Sequence, residues 1–439
     1  MKKVVKFGGS SLASARQFKK VKAIITADKT RCYVIPSAPG KRDGKDTKVT
    51  DLLYQCYDAA VSGQSYKRIL EQIKKRFTDI VDGLGLDLNL DYEFNQIEEN
   101  FLKKAGRDYA ASRGEYLNGI IMANYLGFPF IDAAEVIFFD ERGSFLSEQT
   151  NEELNHRLSS LRQAVIPGFY GSNPDGTIRT FSRGGSDVTG SIVARAVLAD
   201  LYENWTDVSG FLVADPRIVE NPAPIETITY KELRELAYMG ASVLHEDAIF
   251  PVRKEGIPIN IRNTNRPGDP GTMIVENTSK RPHYTITGVA GRKGFCAINI
   301  DKAMMNTEIG FGRRVLEVFE DNNISFEHMP SGIDSMSILV HQDEFQEKEQ
   351  AVIAGIHRAV HPDSVDLEPD LALVAVVGRG MRSARGTAAR IFAALAHAKI
   401  NVRMIDQGSS ELNVIVGVKN EDFEPAVRAI YDIFVKTEL

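Results

Sequence analysis

Two glycine-rich strings lie far apart in this chain, and each falls on what reads as a strand-to-helix turn. The first is Lys6-Phe7-Gly8-Gly9-Ser10-Ser11, directly after a short apolar run. The second is Ser182-Arg183-Gly184-Gly185-Ser186-Asp187, directly before a run with helical spacing. Glycine lets a backbone approach a ligand, the amide groups at such turns point outward, and a helix N-terminus favours negative charge. One such turn is a weak signal. Two of them, each with a cation and hydroxyls, point to an enzyme that handles a nucleoside triphosphate and a small anionic substrate.

The segments around these strings alternate in period. Val4–Phe7, Cys32–Ser37, Pro129–Asp132, Ala164–Gly168 and Leu201–Asp207 read as strands. Gln17–Ala27, Thr50–Ser62, Tyr66–Leu84, Glu115–Tyr125 and Asp187–Leu198 read as helices. Alternation of this kind predicts an α/β domain with a mostly parallel sheet covered on both faces. Ligands of such sheets lie at the carboxyl ends of the strands, where both glycine strings and Thr206-Asp207 fall. The charged stretch Lys41–Lys48 reads as a flexible segment long enough to be a lid.

Near residue 265 the pattern changes. Asn265-Arg266-Pro267-Gly268-Asp269-Pro270-Gly271 is turn chemistry, and Ser279–Pro282 reads as a linker. The remainder divides into two similar units with a period of about 75 residues. The first runs strand Phe295–Asp301, helix Phe311–Asn322, strands Ile324–Met329 and Ser335–His341, helix Phe345–Val360, and a strand near Val365. The second runs strand Leu371–Val377, helix Ala384–Lys399, strands Ile400–Ile405 and Glu411–Val418, and helix Phe423–Phe434. This second copy stops short of its last strand, and an extra strand at Tyr284–Val289 would supply it, intertwining the copies.

Composition narrows the function. A chain of 439 residues has room for two or three domains, and a net charge of -6 argues against a nucleic-acid partner. Cys32, Cys56 and Cys296 form no paired framework and read as reduced thiols. No secretory leader is visible, and no run reaches the ~18 apolar residues that suggest a membrane span. A cytoplasmic protein without a membrane partner is the expectation. The eight histidines are dispersed, His245 reads as a core residue, and no metal cluster stands out. A GxxxxGK[ST] string is absent, as is GxGxxG after the first strand, so neither a P-loop nor a dinucleotide fold is expected.

Several side chains suit the chemistry. Lys6, at a strand end before two glycines, can reach transferring phosphate oxygens. Arg183 offers a bidentate fork for a substrate carboxylate, and Asp187 a partner for a substrate amine, while Ser186 or Asp187 also suits a helix cap. Glu115 reads as standing at a helix start, where it either caps the helix or faces the cleft. Trp205-Thr206-Asp207 and Asp215-Pro216-Arg217 suit a ribose, a base and phosphates, or are turn chemistry beside a core tryptophan.

These residues, with Ser37-Ala38 and Gly240-Ala241-Ser242-Val243-Leu244-His245, resemble the aspartokinase family in order and across nearly the whole chain. The tandem C-terminal units look like that family's ACT domains. The resemblance implies a three-layer α/β/α amino-acid kinase domain over 1-280 and two ferredoxin-like ACT domains over 281-369 and 370-439. The length, without a dehydrogenase extension, suggests the monofunctional form. Other amino-acid kinases, or a sensor that has lost catalysis, are the rivals. The intact Lys6, Glu115, Arg183 and Asp187 disfavour the sensor.

The resemblance also implies the activity: ATP, with Mg2+, phosphorylates the side chain of L-aspartate in the entry step to lysine, threonine and methionine. By the same analogy Lys6, Arg183 and Asp187 are catalytic, and Thr50, Glu115, Arg183, Gly184, Ser186 and Asp187 hold aspartate. Lys6, Gly8, Gly9, Ser10, Thr206, Asp207, Arg217 and Ser242 hold the nucleotide. Ser242 stands where the family often has lysine, and Leu212 where it often has an aromatic. An amino-acid effector, with L-lysine the expected inhibitor, is assigned to Met305, Gly312, Phe326, Glu327, Ser331 and Asp334. The resemblance further implies a homodimer or homotetramer through the ACT domains.

Overall fold

The apolar runs Val4-Val5 and Val34-Ile35 become adjacent buried strands, as runs without polar alternation do when both faces of a sheet are covered. They belong to a seven-stranded sheet in a computed structural model that describes residues 1–182, 184–241, 244, 248–280 and 282–437. Its strands are β1 (Lys3–Phe7), β2 (Arg31–Pro36), β3 (Ala164–Val165), β6 (Leu201–Thr206), β7 (Thr227–Thr229), β8 (Ile259–Asn263) and β9 (Thr272–Val275). A separate hairpin is formed by β4 (Tyr170–Ser172) and β5 (Ile178–Thr180). The sheet order is β3-β2-β1-β6-β8-β9-β7, and every pairing is parallel except β8 with β9. The carboxyl ends of β3, β2, β1, β6 and β8 therefore share one edge.

This sheet lies in a unit made of Met1–Phe211, Ile225–Tyr230 and Val243–Thr278. Its helices include α1 (Ala15–Ala27), α2 (Val49–Val61), α3 (Lys67–Leu84), α4 (Asp91–Leu102), α5 (Arg107–Leu126), α6 (Ser147–Ser159) and α7 (Gly185–Ala196). Phe18, Val21, Ile24 and Ile25 make the buried stripe of α1 at helical spacing. Val5, Phe7, Val34 and Trp205 join that stripe and residues of α2, α3 and α5 in one core. Side chains alternate along a strand, so Lys6 and Asn204 turn to the opposite face, toward α7.

The sequence pattern misplaces several elements. Helix α5 starts at Arg107 rather than Glu115, because Gly114 is not a breaker here: it is where the helix packs against Ala38, and a Cβ on it would stand 2.7 Å from the Ala38 Cβ. The strand expected over Pro129–Asp132 reduces to one bridge between Phe130 and Val165, and Asp132 caps a 3-10 turn. Helices α4 and α6 are missed, although Phe94, Ile97 and Phe101 in α4 and Thr150, Leu154 and Leu158 in α6 are buried at helical spacing. The charged stretch Lys41–Lys48 is tethered rather than free: Arg42 and the buried Arg76 of α3 both pair with Asp46. Arg42 bonding and the two guanidinium charges hold the Asp46 carboxyl well below the usual range.

The second unit comprises Leu212–Pro224, Lys231–Ser242 and Ser279–Leu439. It holds one five-stranded antiparallel sheet of order β11-β10-β12-β14-β13, built from β10 (Gly288–Asp301), β11 (Ser335–His341), β12 (Ser364–Val377), β13 (Met404–Asp406) and β14 (Asn413–Lys419). The strands expected at Tyr284–Val289 and Phe295–Asp301 are one strand that starts at Gly288. Its first half pairs with Ala372–Val377 and its second with Ser364–Leu371, across an irregularity at Gly294, whose φ is +92°. The strand near Val365 likewise runs on into the first strand of the second copy, so both long strands serve both copies.

The strand expected over Ile324–Met329 is only a bridge at His328, and that over Ile400–Ile405 is reduced to β13. The helix expected over Phe345–Val360 divides into Gln342–Gln346 and Glu349–Val360. Val315, Val318 and Phe319 of helix Phe311–Asp321 fill the core beneath the first copy.

Candidate active site

The two glycine strings meet at an ion pair. Lys6, on the last turn-facing position of β1, places Nζ 2.5 Å from Asp187 Oδ1 in the first turn of α7. The lysine is 7% exposed, so the pair is largely shielded from water. Asn204 of β6 stands beside Lys6 in register and donates from Nδ2 to Asp187 Oδ1 at 2.8 Å. Lys6 Nζ donates to Asn204 Oδ1 at 3.4 Å. Nothing in the sequence pattern marked Asn204, because its strand also carries Glu203 and Thr206 and one more polar residue does not stand out.

Each string has its own reason for glycine. A Cβ on Gly9 would lie 2.9 Å from Ala38 O and 3.2 Å from Gly40, so only glycine admits that wall. Gly8 donates its N–H to Trp205 O, and Ser10 is half-buried beside it. Gly184 precedes α7 with φ of +59°, the left-handed region that glycine enters freely. Ser186 is buried against Gly168, where a Cβ would come within 2.6 Å of it. Arg183 lies outside the described residues.

Glu115 is the ninth residue of α5 and buried, which overturns its reading as a helix cap. Burial pushes its carboxyl up to about 8, offset in part by the Ala38 backbone and the charges of Arg113 and Lys6. Its Oε2 has no protein partner. One turn further on, Asn118 donates to Ser37 O at 2.6 Å and clamps α5 to the end of β2. Thr50, half-buried in the first turn of α2, follows Val49, which faces Gly114 of α5. Arg113 was passed over in the sequence. It is buried against the rings of Tyr109, Tyr116 and Tyr170, with one guanidinium nitrogen unpartnered.

The nucleotide candidates are less gathered. Thr206 ends β6 and donates to the exposed Asp207. Trp205 is core: 1% exposed, it stacks on Phe7, donates to Glu203 and has the guanidinium groups of Arg31 and Arg262 over its ring. Arg217 belongs to the second unit, where it is exposed and pairs with Asp215 at 2.6 Å. Ser242, Val243 and His245 lie outside the described residues. Among the described residues no group of three His, Cys, Asp or Glu side chains is arranged to hold a metal. No helix among them is long and apolar enough to cross a membrane.

The effector candidates fall at two places in the second unit. Met305 is buried in a 3-10 turn just before helix Phe311–Asp321, which carries Gly312 in its first turn. Asp334 accepts from the Met304 N–H at 2.9 Å, and Ser331 bridges to Met336. Phe326 is 42% exposed beyond the other end of that helix, on a cavity of about 590 Å³. Glu327 is already engaged, by Tyr238 Oη at 2.5 Å and His341 Nε2 at 3.2 Å.

Comparison with known proteins gives consistent matches. A model of the amino acid kinase family matches residues 1–263, and a model of an ACT domain matches 374–434. Aspartokinase 3 of Bacillus subtilis (strain 168) is 41% identical, over 98% of both chains. The crystal structure of Clostridium acetobutylicum aspartate kinase, described as an allosteric enzyme, is 55% identical with a TM-score of 0.90, over 99% of this chain and 100% of that one. Escherichia coli aspartokinase III, solved with aspartate and ADP, is 24% identical with a TM-score of 0.74 over 99% of each chain, and shares the fold.

Proposed function

Since the chain belongs to the aspartokinase family and is an aspartate kinase, we propose that it transfers the γ-phosphoryl group of ATP to the side-chain carboxylate of L-aspartate. The product is 4-phospho-L-aspartate, and ATP arrives as its Mg2+ complex. The reading rests above all on the Lys6–Asp187 pair, where both glycine strings converge at the carboxyl edge of the sheet. The aspartate side chain is already ionised at neutral pH (reference pKa ~3.9), so no strong base is required. Catalysis is alignment of donor and acceptor plus neutralisation of charge on the transferring group. Lys6 supplies the cation. Glu115, buried with a free oxygen, suits the substrate ammonium, which would draw out its proton. Thr50, Arg183, Gly184 and Ser186 complete the aspartate site, with Arg183 on the α-carboxylate. Gly8, Gly9, Ser10, Thr206, Asp207, Arg217 and Ser242 serve the nucleotide.

The division into a catalytic domain over 1-280 and ACT domains over 281-369 and 370-439 is part of this proposal. So are a homodimer or homotetramer joined through the ACT domains, a cytoplasmic location and a place at the entry to lysine, threonine and methionine synthesis. L-lysine is the proposed inhibitor, acting through Met305, Gly312, Phe326, Glu327, Ser331 and Asp334. ADP release from MgATP and L-aspartate, with the acyl phosphate trapped as its hydroxamate, tests the reaction. Hydroxamate formation suppressed by millimolar lysine is the expected result. Aspartate-dependent turnover indifferent to lysine would remove the effector assignment, and no turnover would remove the reaction.

A further inference from the structure

A buried amide in the middle of a strand needs an explanation. Asn204 is 3% exposed, asparagine is a weak strand former, and a desolvated amide without partners is costly. Its two ends meet opposite charges: the NH2 group faces Asp187 Oδ1 at 2.8 Å, and the carbonyl faces Lys6 Nζ at 3.4 Å. Chemistry fixes this orientation. Turned over, the amide would aim its donors at a cation and its oxygen at a carboxylate. Leucine has the size but neither pole, and aspartate would meet Lys6 but repel Asp187.

The strand ladder holds the amide in place, because Asn204 pairs with Lys6 on β1 and Ile261 on β8. Two residues earlier on the same face, Tyr202 Oη donates to Asp187 O at 3.1 Å. Strand β6 thus grips Asp187 at its carboxylate and at its backbone.

We propose that Asn204 is a positioning residue for phosphoryl transfer: by fixing the Asp187 carboxylate it sets where the Lys6 ammonium stands when the phosphate arrives. The inference rests on the reading of Lys6 as the phosphate-gripping cation. A lysine on a flexible stem is a compact charge that follows its partner. Should Asp187 swing, Lys6 moves with it, and an offset of about 1 Å at a reacting group can cost on the order of 100-fold in rate. Substrate binding, which Lys6 and Asp187 share with several other groups, would change less than turnover.

The test compares hydroxamate kinetics and melting temperatures of Asn204→Leu, Asn204→Asp and Lys6→Met. Asn204→Leu is expected to lower kcat by about 10- to 100-fold, with smaller changes in both KM values. Asn204→Asp is expected to be equally slow at pH 8 but to recover as pH falls, because its protonated carboxyl can again donate to Asp187. The charged groups at that position are Lys6 from β1 and Asp187 from α7, with Tyr202 of β6 bonded to the Asp187 backbone and Glu115 of α5 within reach of the Lys6 charge. Neither the wild type nor Asn204→Leu should gain activity on acidification. Wild-type kcat in Asn204→Leu, with Lys6→Met inactive, would overturn the role of Asn204 alone. So would an Asn204→Asp enzyme that gains no activity as pH falls, a result that also decides the matter if the leucine variant does not fold. Near-normal turnover in Lys6→Met would instead overturn the reading of Lys6.

Discussion

The two glycine strings look alike in sequence and are built differently. In the first, the paired charge precedes the glycines: Lys6 is the last residue but one of β1, a 3-10 turn over Gly9–Leu12 follows, and α1 begins only at Ala15. In the second, the charge follows them: Gly184 adopts a left-handed conformation, α7 begins at once, and Asp187 lies in its first turn. Gly9 is required for space, since its neighbours are the backbone of Ala38 and Gly40. Gly184 is required for conformation. Both strings nevertheless deliver one end of a single ion pair to the carboxyl edge of the sheet. The lesson is that similar glycine strings can serve space in one place and backbone conformation in another, and still bring their charges together.

The comparison breaks most visibly at the charges. Lys6→Ala should lower kcat on the order of 1,000-fold with a modest change in KM, because the cation acts on charge that develops in transfer. Steady-state hydroxamate rates check this. Arg76→Met attacks the first string alone. Arg76 donates to Gly40 O at 2.8 Å and to Asp46, so it holds the wall that Gly9 packs against. Its loss should cost about 1.5–3 kcal/mol in urea unfolding and raise KM for ATP more than for aspartate.

Space and conformation separate next. Gly9→Ala should cost roughly 1–3 kcal/mol through backbone overlap. Gly184→Ala should cost about 1–2 kcal/mol through strain, and Gly184→Asn less than that. Equal losses for alanine and asparagine at Gly184 would contradict a conformational role. A further break lies in the pH dependence of stability. The Glu115 carboxyl titrates near 8 in the folded chain against an ordinary 4.5, so the folded state binds the extra proton between those values. Wild-type stability should therefore fall as pH rises from 4.5 to 8, and Glu115→Gln should flatten that slope in thermal melts.

Much of this was legible in the sequence because it depends on local rules. Apolar runs marked β1 and β2, the glycines marked the turns, and a cation and an acid beside them marked Lys6 and Asp187. What was hidden depends on packing. Gly114 reads as a helix breaker until Ala38 is seen against it, so Glu115 was placed at a helix start instead of deep inside α5. Trp205 reads equally as a base platform or as core, and only its neighbours Phe7, Arg31 and Arg262 decide for core. Asn204 carries no motif; its role exists only through the register of β6 beside β1. The two copies of the C-terminal repeat were visible as a period. Their intertwining was expected from the missing last strand of the second copy, and the pairing of Gly288–Lys293 with Ala372–Val377 agrees. That β10 and β12 each run on from one copy into the other was not visible, because a strand that passes from one partner to another keeps the same alternation throughout.

The most direct measurement is a double-mutant cycle on kcat with Lys6→Ala, Asp187→Ala and the pair combined. If the two strings form one catalytic unit, the combined variant should be scarcely slower than Lys6→Ala alone. Losses that multiply, as for two independent sites, would contradict the claim that both strings act through a single ion pair.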